Sequence, residues 1–355
     1  MSDEAYIKLR EFLDKFPIGF PKTESGIEIK ILKRLFTEEE ARITVRLSPV
    51  PETAKQIARR GKLDVKEMEK KLELMSKKGL IFRVHRKGKT FYNAAPFMIG
   101  LYEYSVKKID KELARLFKEY YDTAQVNEIG ASGVPGFKVL PVDESIQANT
   151  VLYPYHKLKE SIKNARGIAV TDCVCRLESQ LNGEGCDYPI ETCLSFGAAA
   201  EYYIENGWGR EITPEEAIRI IEETDKAGLV HAGVNSKHLS NICNCCPCCC
   251  VSMKGITKMG HNKHKYLNAI FESIIDREKC SGCGSCIDRC PVGAIIIDDF
   301  AIVDRERCLG CGLCAGECPE NAIVLQVRED GEEPFDRVVE LGMAILKSKK
   351  KKPRT

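Results

Sequence analysis

Apolar residues recur at helical spacing through the first third of the chain, and at strand spacing only in short runs beyond it. Residues 3–16 set Tyr6, Leu9, Phe12, Leu13 and Phe16 on one stripe that stops before Pro17, which predicts a core-facing helix. GIEIKILKRLF predicts a second helix. TEEEARITVRL predicts a third, opened by Thr37 as N-cap with Glu40 as its capping-box partner. PETAKQIARR and DVKEMEKKLELMSKK predict two more, parted by Gly61 and Lys62, and IFRVHRKGKTFYNAAP reads as two strands turning at Lys87 and Gly88. From residue 99 the spacing of Leu101, Ile109, Leu113, Leu116 and Phe117 predicts one long helix. The Gly- and Pro-rich NEIGASGVPGFKVLPVD that ends it predicts a connector, with a boundary near Val142.

Past that point the periods shorten. Residues 155–165 predict a helix, and GIAVTDCVCR a buried strand running into Cys173 and Cys175. Residues 212–229 carry every helix signal: Thr213 caps, Pro214 takes the first position, Glu216 closes the box and Gly228 ends it. Residues 260–276 predict a helix, and FDRVVELGMAILK another, followed by the basic tail SKKKKPRT. Such a tail is expected to be solvated on a docking helix.

A chain of 355 residues fits two or three domains. With 54 Lys and Arg against 52 Asp and Glu, the net charge of +2 gives no case for nucleic acid or anionic membrane as a partner of the whole molecule. MSDEAYIKLR opens acidic without an apolar run, so it is not read as a signal peptide, and no stretch nears the ~20 apolar residues that span a bilayer. The expectation is a soluble, cytoplasmic protein. Residues 52–90 depart from the neutral average, with 13 Lys or Arg against 5 Asp or Glu. The order of helices and hairpin over 26–98 resembles the winged-helix fold, which implies DNA binding through the second helix of the helix-turn-helix. That helix carries Asp64, Glu67, Glu69 and Glu73 and has no Arg, Asn or Gln to read base edges, so packing or protein docking is the expected use.

The 18 cysteines change the picture. None precedes Cys173, and in a cytoplasmic chain that number points to metal ligation over disulfides. CSGCGSCIDRCP spaces Cys280, Cys283, Cys286 and Cys290 as C-x2-C-x2-C-x3-C before Pro291. CLGCGLCAGECP repeats this with Cys308, Cys311, Cys314 and Cys318 before Pro319. Three thiolates on a tight loop can cap three irons of a cubane, while the fourth is turned away toward the second cluster. One [4Fe-4S] cluster is thus assigned to Cys280, Cys283, Cys286 and Cys318, the other to Cys308, Cys311, Cys314 and Cys290. Four thiolates also suit zinc, but the duplicated triplet-plus-one with proline favours iron. Gly282, Gly284, Gly310 and Gly312 let backbone approach inorganic sulfide. Residues 276–327 resemble the bacterial-type two-[4Fe-4S] ferredoxin family, with every ligand position of its motif filled.

A second cysteine field holds Cys173, Cys175, Cys186 and Cys193, then CNCCPCCC with Cys243, Cys245, Cys246, Cys248, Cys249 and Cys250. Free buried cysteine occurs singly as a small hydrophobe, so six in eight residues point to metal. If the run is extended, alternation sends Cys243, Cys245 and Cys249 one way and Cys246, Cys248 and Cys250 the other. Ten thiolates suffice for one or two additional iron–sulfur clusters, a larger non-cubane cluster fitting equally, with zinc as the alternative. Cys245–Cys246 are similar to the Cys-Cys-Gly motif of heterodisulfide-reductase-type subunits. Pro247 stands in place of the Gly and the paired motif is absent, so that active site is not carried over. The whole arrangement looks like 4Fe-4S-binding proteins of anaerobes. His231 and His238 are candidates for a ligand or proton donor, and Asp172, Arg176 and Asn244 for hydrogen bonds to cluster sulfur. No phosphate-binding glycine loop or Ser-His-Asp signature occurs.

The fold class expected is α+β multidomain: a winged-helix-like domain over 1–98, a helix and connector over 99–150, and a cysteine-rich α/β domain over 151–275. A dicluster ferredoxin over 276–327 and a helix with basic tail over 328–355 complete it. The function expected is oxygen-sensitive electron transfer through two [4Fe-4S] clusters to a further cysteine-ligated centre and a partner oxidoreductase. The alternatives are a redox-responsive winged-helix transcription regulator and a reductase with its active site at the central cluster.

Overall fold

Local signals decide the N-terminal elements. The computed structural model describes residues 3–61, 63–141, 145–146 and 157–351. Lys62, the boundary expected near Val142, the start of the 155–165 helix and the end of the basic tail lie outside the described residues. Helices run over Glu4–Leu13, Ile27–Leu35, Glu38–Thr44, Ala54–Gly61 and Val65–Lys77. The capping box at Thr37 is formed in both directions, through the Glu40 amide and the Glu40 carboxylate. Strands β1 (Ile81–Arg86) and β2 (Lys89–Ala94) pair antiparallel. Their turn puts Lys87 and Gly88 both at positive φ, 50° and 69°, the backbone that matches a hairpin's twist.

The long helix expected from residue 99 begins only at Lys111. Met98, Ile99 and Gly100 are non-helical, and Asp110 restarts the chain by accepting from the Leu113 amide. The stretch expected as a connector contains strand β3 (Phe137–Val139), buried throughout. Its apolar pair Phe137 and Val139 is too short to signal a strand, and neighbours on both sides make it one.

Those neighbours belong to a seven-stranded sheet that also contains β4 (Ile168–Asp172), β5 (Glu191–Phe196), β6 (Gly209–Glu211), β7 (Val230–Val234), β8 (Asn241–Cys245) and β9 (Leu267–Asn268). The order is β6-β4-β5-β8-β7-β3-β9, antiparallel except for β3 with β9. On one face Ile168, Val170, Leu194, Phe196 and Ile242 pack under the helices Leu158–Lys163 and Pro214–Lys226. The second helix has the cap expected of it, Thr213 accepting from the Glu216 amide. Alternation turns Cys193, Cys243 and Cys245 to the other face.

That other face meets the N-terminal elements. A continuous apolar cluster runs from Leu9 and Ile31 through Leu72, Phe97, Tyr202 and Trp208 to Leu267 and Leu313. Tyr202 donates to the carbonyls of Ser76 and Ile81, and buried Arg83 of β1 bridges Glu73 to Glu205. Residues 260–276, expected as a helix, form β9 and β10 (Phe271–Ile275). Pairing of β10 with β13 (Ile323–Val327), and of β9 with β3, overrides the helical period. β11 (Ile295–Ile297) and β12 (Ala301–Val303) complete the C-terminal part. The last helix, Val338–Lys351, buries Leu341 and Ile345, and Lys349 pairs with Glu128.

Candidate metal centres

The C-terminal cysteines line two small cavities. Cys280, Cys283, Cys286 and Cys318 line one; Cys290, Cys308, Cys311 and Cys314 line the other. Each set takes its fourth member from the opposite repeat, as the spacing groups them. Backbone amides point at the sulfurs: Ala301 toward Cys280, Ala294 toward Cys290, Gly310 toward Cys308 and Ala322 toward Cys318. Such donors hold negative charge on a thiolate. Gly310 is required sterically, because a Cβ there would lie 2.0 Å from the Phe271 carbonyl oxygen at a φ of 63°. The cavities differ in depth. Cys283 is exposed, whereas Cys308 and Cys314 are buried and Ser273 of β10 touches both. Burial pushes the Cys314 thiol up to about 12.

The ten cysteines of the middle region divide into six and four. Cys173, Cys175, Cys193, Cys243, Cys245 and Cys250 line a cavity of about 300 Å³, which Cys246 of the other set also touches, against about 20 Å³ for each ferredoxin cavity. Their elements explain the convergence. Cys173 stands at the N-cap position of the helix Val174–Leu181, which puts Cys175 in its first turn. Cys193 follows in register beside Cys243, since Leu194 pairs with Ile242. Cys250 caps the helix Val251–Thr257. Cys175 lies within hydrogen-bonding reach of Cys173 and Cys250, and Cys245 within reach of Cys243 and Cys250. Hydrogen bonds from Cys175, Cys245 and the amides of Met253 and Ser252 hold Cys250 low, as a helix N-terminus does.

The remaining four, Cys186, Cys246, Cys248 and Cys249, have sulfurs all within 4.8 Å of one another. This corrects the grouping expected from an extended run. The strand stops at Cys245 and the chain turns at Pro247, so Cys249 joins Cys246 and Cys248 while Cys250 joins Cys243 and Cys245. The pairs Cys243–Cys245 and Cys246–Cys248 stay grouped as alternation expects, and only Cys249 and Cys250 change sets.

Arg176 is a fully buried cation of this region, 0% exposed. It donates to the Asn244 carbonyl at 2.9 Å and to the Thr192 hydroxyl. Its Nε has no hydrogen-bond partner among the described residues. Burial works against its charge, but the thiolates of Cys173, Cys193 and Cys246 outweigh that and hold its pKa above the ordinary value. Six converging thiols, a buried guanidinium with an orphaned N–H and a roomy cavity fit a polynuclear metal–sulfur centre. Asp172 pairs instead with Lys107 at 2.6 Å. His231 is fixed by Asn244 at 2.6 Å and His238 is exposed; neither lines the cavity. Spacing alone did not single out Glu103, which also lines the cavity. Burial pushes its carboxyl up to about 7, against a hydrogen bond from the Gly100 amide at 2.7 Å.

A family model described as the 4Fe-4S binding domain matches the chain twice, over residues 273–296 and 301–324. Residues 273–324 are therefore a ferredoxin-type segment with two iron–sulfur binding repeats. No curated protein and no solved structure matches the chain. Among the described residues no helix is long and apolar enough to cross a membrane.

Proposed function

We propose that this protein carries low-potential electrons from a partner oxidoreductase, through two [4Fe-4S] clusters, to an iron–sulfur centre in the six-cysteine cavity. The observation that carries the reading is the graded burial of three cysteine-lined cavities, the inner and central of which are joined by one short stretch of chain. Cys280, Cys283, Cys286 and Cys318 would hold the outer cluster, where exposed Cys283 marks the face open to a donor. Cys308, Cys311, Cys314 and Cys290 would hold the inner one, walled by Ser273. Leu267 walls the central cavity, and the six steps of chain from Leu267 to Ser273 reach at most about 22 Å when fully extended. Bound clusters of this type supply one-electron transfer, commonly near about −400 mV. Around them the chain excludes water, and its amides and Arg176 offset the charge of the thiolates.

The N-terminal helices and hairpin, read as winged-helix-like, serve packing in this proposal. The carboxylates Glu67 and Glu73 are engaged by Lys71 and Arg83, and β1 is tied to the middle region through Arg83 and Tyr202. The size and apolar lining of the central cavity also favour a reductase reading, since about 300 Å³ is the lower end of small-molecule sites.

The test is an anaerobic redox titration followed by electron paramagnetic resonance, with iron counted per chain. The expected result is two interacting cubane signals and a third, separate signal that a Cys243→Ser, Cys245→Ser double variant removes. About eight iron atoms and no third signal would leave a plain dicluster carrier and sink the proposal. A change in the third signal on adding a thiol, disulfide or acyl compound would turn the reading toward a reductase.

A further inference from the structure

The six-plus-four division carries a second consequence, which does not depend on electron transfer. Four thiolates on one tetrahedral ion with metal–sulfur bonds of about 2.3 Å must lie about 3.8 Å apart. Four thiolates on a cubane each bind a different iron and must stand wider. Cys249 lies 3.6 Å from Cys186 and 3.6 Å from Cys248, and all four sulfurs of the set fall within 4.8 Å. Among the described residues, no other group of three or more cysteines, histidines or carboxylates draws this close, and that includes both ferredoxin sets. The same chain thus contains both spacings.

The surroundings agree. Cys246 and Cys249 are buried beside Leu229, with Tyr188 and Ala227 packed against them; Cys246 alone of the four also lines the six-cysteine cavity. We infer that Cys186, Cys246, Cys248 and Cys249 bind a single zinc ion. It clamps the loop before β5 to the turn after β8 and is separate from the iron–sulfur centre of the cavity. Zinc is the ion suited to four thiolates in a closed site, where it has a structural role. By crossing from one cysteine-bearing segment to the other, it would fix the turn at Pro247 that sends Cys250 back toward Cys243 and Cys245.

The experiment uses the full chain, purified anaerobically, with zinc and iron measured in one sample and X-ray absorption recorded at the zinc edge. The expected result is about one zinc per chain with four sulfurs at about 2.3 Å and no iron neighbour. A Cys186→Ser, Cys248→Ser variant should lose the zinc while the two cubane signals persist. Zinc near zero in the unaltered protein, or a shell with fewer than four sulfurs, overturns the inference. So does a variant that loses about four irons and keeps its zinc. Should the variant not fold, the zinc edge of the unaltered chain decides alone. Absent cubane signals with the zinc shell intact would defeat the electron-transfer proposal and leave this one standing.

Discussion

Arg176 shows how much one side chain can be asked to hold. It is fully buried, shares hydrogen bonds with Thr192 and Asn244, and faces thiols of both middle sets. An uncompensated cluster of thiolates in that position would be costly. Arg176→Met is therefore expected to lower stability by on the order of 3 kcal/mol and to reduce iron in the central cavity. Arg176→Lys should recover part of the iron, because it restores the charge without the planar fork. Urea unfolding and iron per chain check this, and a fully loaded, equally stable methionine variant would contradict it. The sequence placed Arg176 beside ligands through its position after Cys175. It could not show that the guanidinium is buried, nor that Glu103, 70 residues before Cys173, shares the same cavity.

At the scale of elements, the ferredoxin loops depend on glycines that are not equivalent. Gly310 and Gly284 both hold positive φ, but a Cβ on Gly310 collides with β10 whereas one on Gly284 meets open space. Gly284→Ala is expected to cost only about 1–2 kcal/mol of backbone strain and to keep both clusters. Gly310→Ala must push β10 away from the Cys308–Cys314 loop. It should therefore lose about four irons, read by iron assay and by the collapse of the interacting cubane signal. Equal iron in the two variants would show that β10 does not brace the inner site. Elements with their own signals, such as the capped helices at Thr37 and Thr213 and the Lys87–Gly88 hairpin, were legible from local residues. β3, β9 and β10 were not, because two- to five-residue strands carry no period of their own and exist through distant pairing.

For the whole molecule, the apolar cluster that runs from the first helix to Leu313 joins regions that composition sets apart. Trp208, the single tryptophan, sits at that junction against Tyr104, Tyr202 and Tyr203, with the chain at Gly79 beside it. Its fluorescence and the far-ultraviolet dichroism of the N-terminal helices are expected to change in one coincident thermal transition. Two separated midpoints would mean that the N-terminal elements fold and unfold on their own. Coincidence matters for function, since the cavity wall includes Met98, Ile99 and Tyr104 from the N-terminal side.

By itself the sequence determined the ferredoxin segment, because eight cysteines at fixed short spacing, two prolines and four glycines are local chemistry that no fold can rearrange. It also pointed to metal in the middle region, since six cysteines in eight residues are more than core packing uses. Only the tertiary structure decided which sulfur goes where. Alternation holds while a strand lasts, and the strand ends at Cys245. The turn at Pro247 then exchanges Cys249 and Cys250 between the two sets, and Cys186 arrives from a loop some sixty residues earlier. Ligand grouping of that kind is a property of three-dimensional distance, which residue spacing along the chain does not contain.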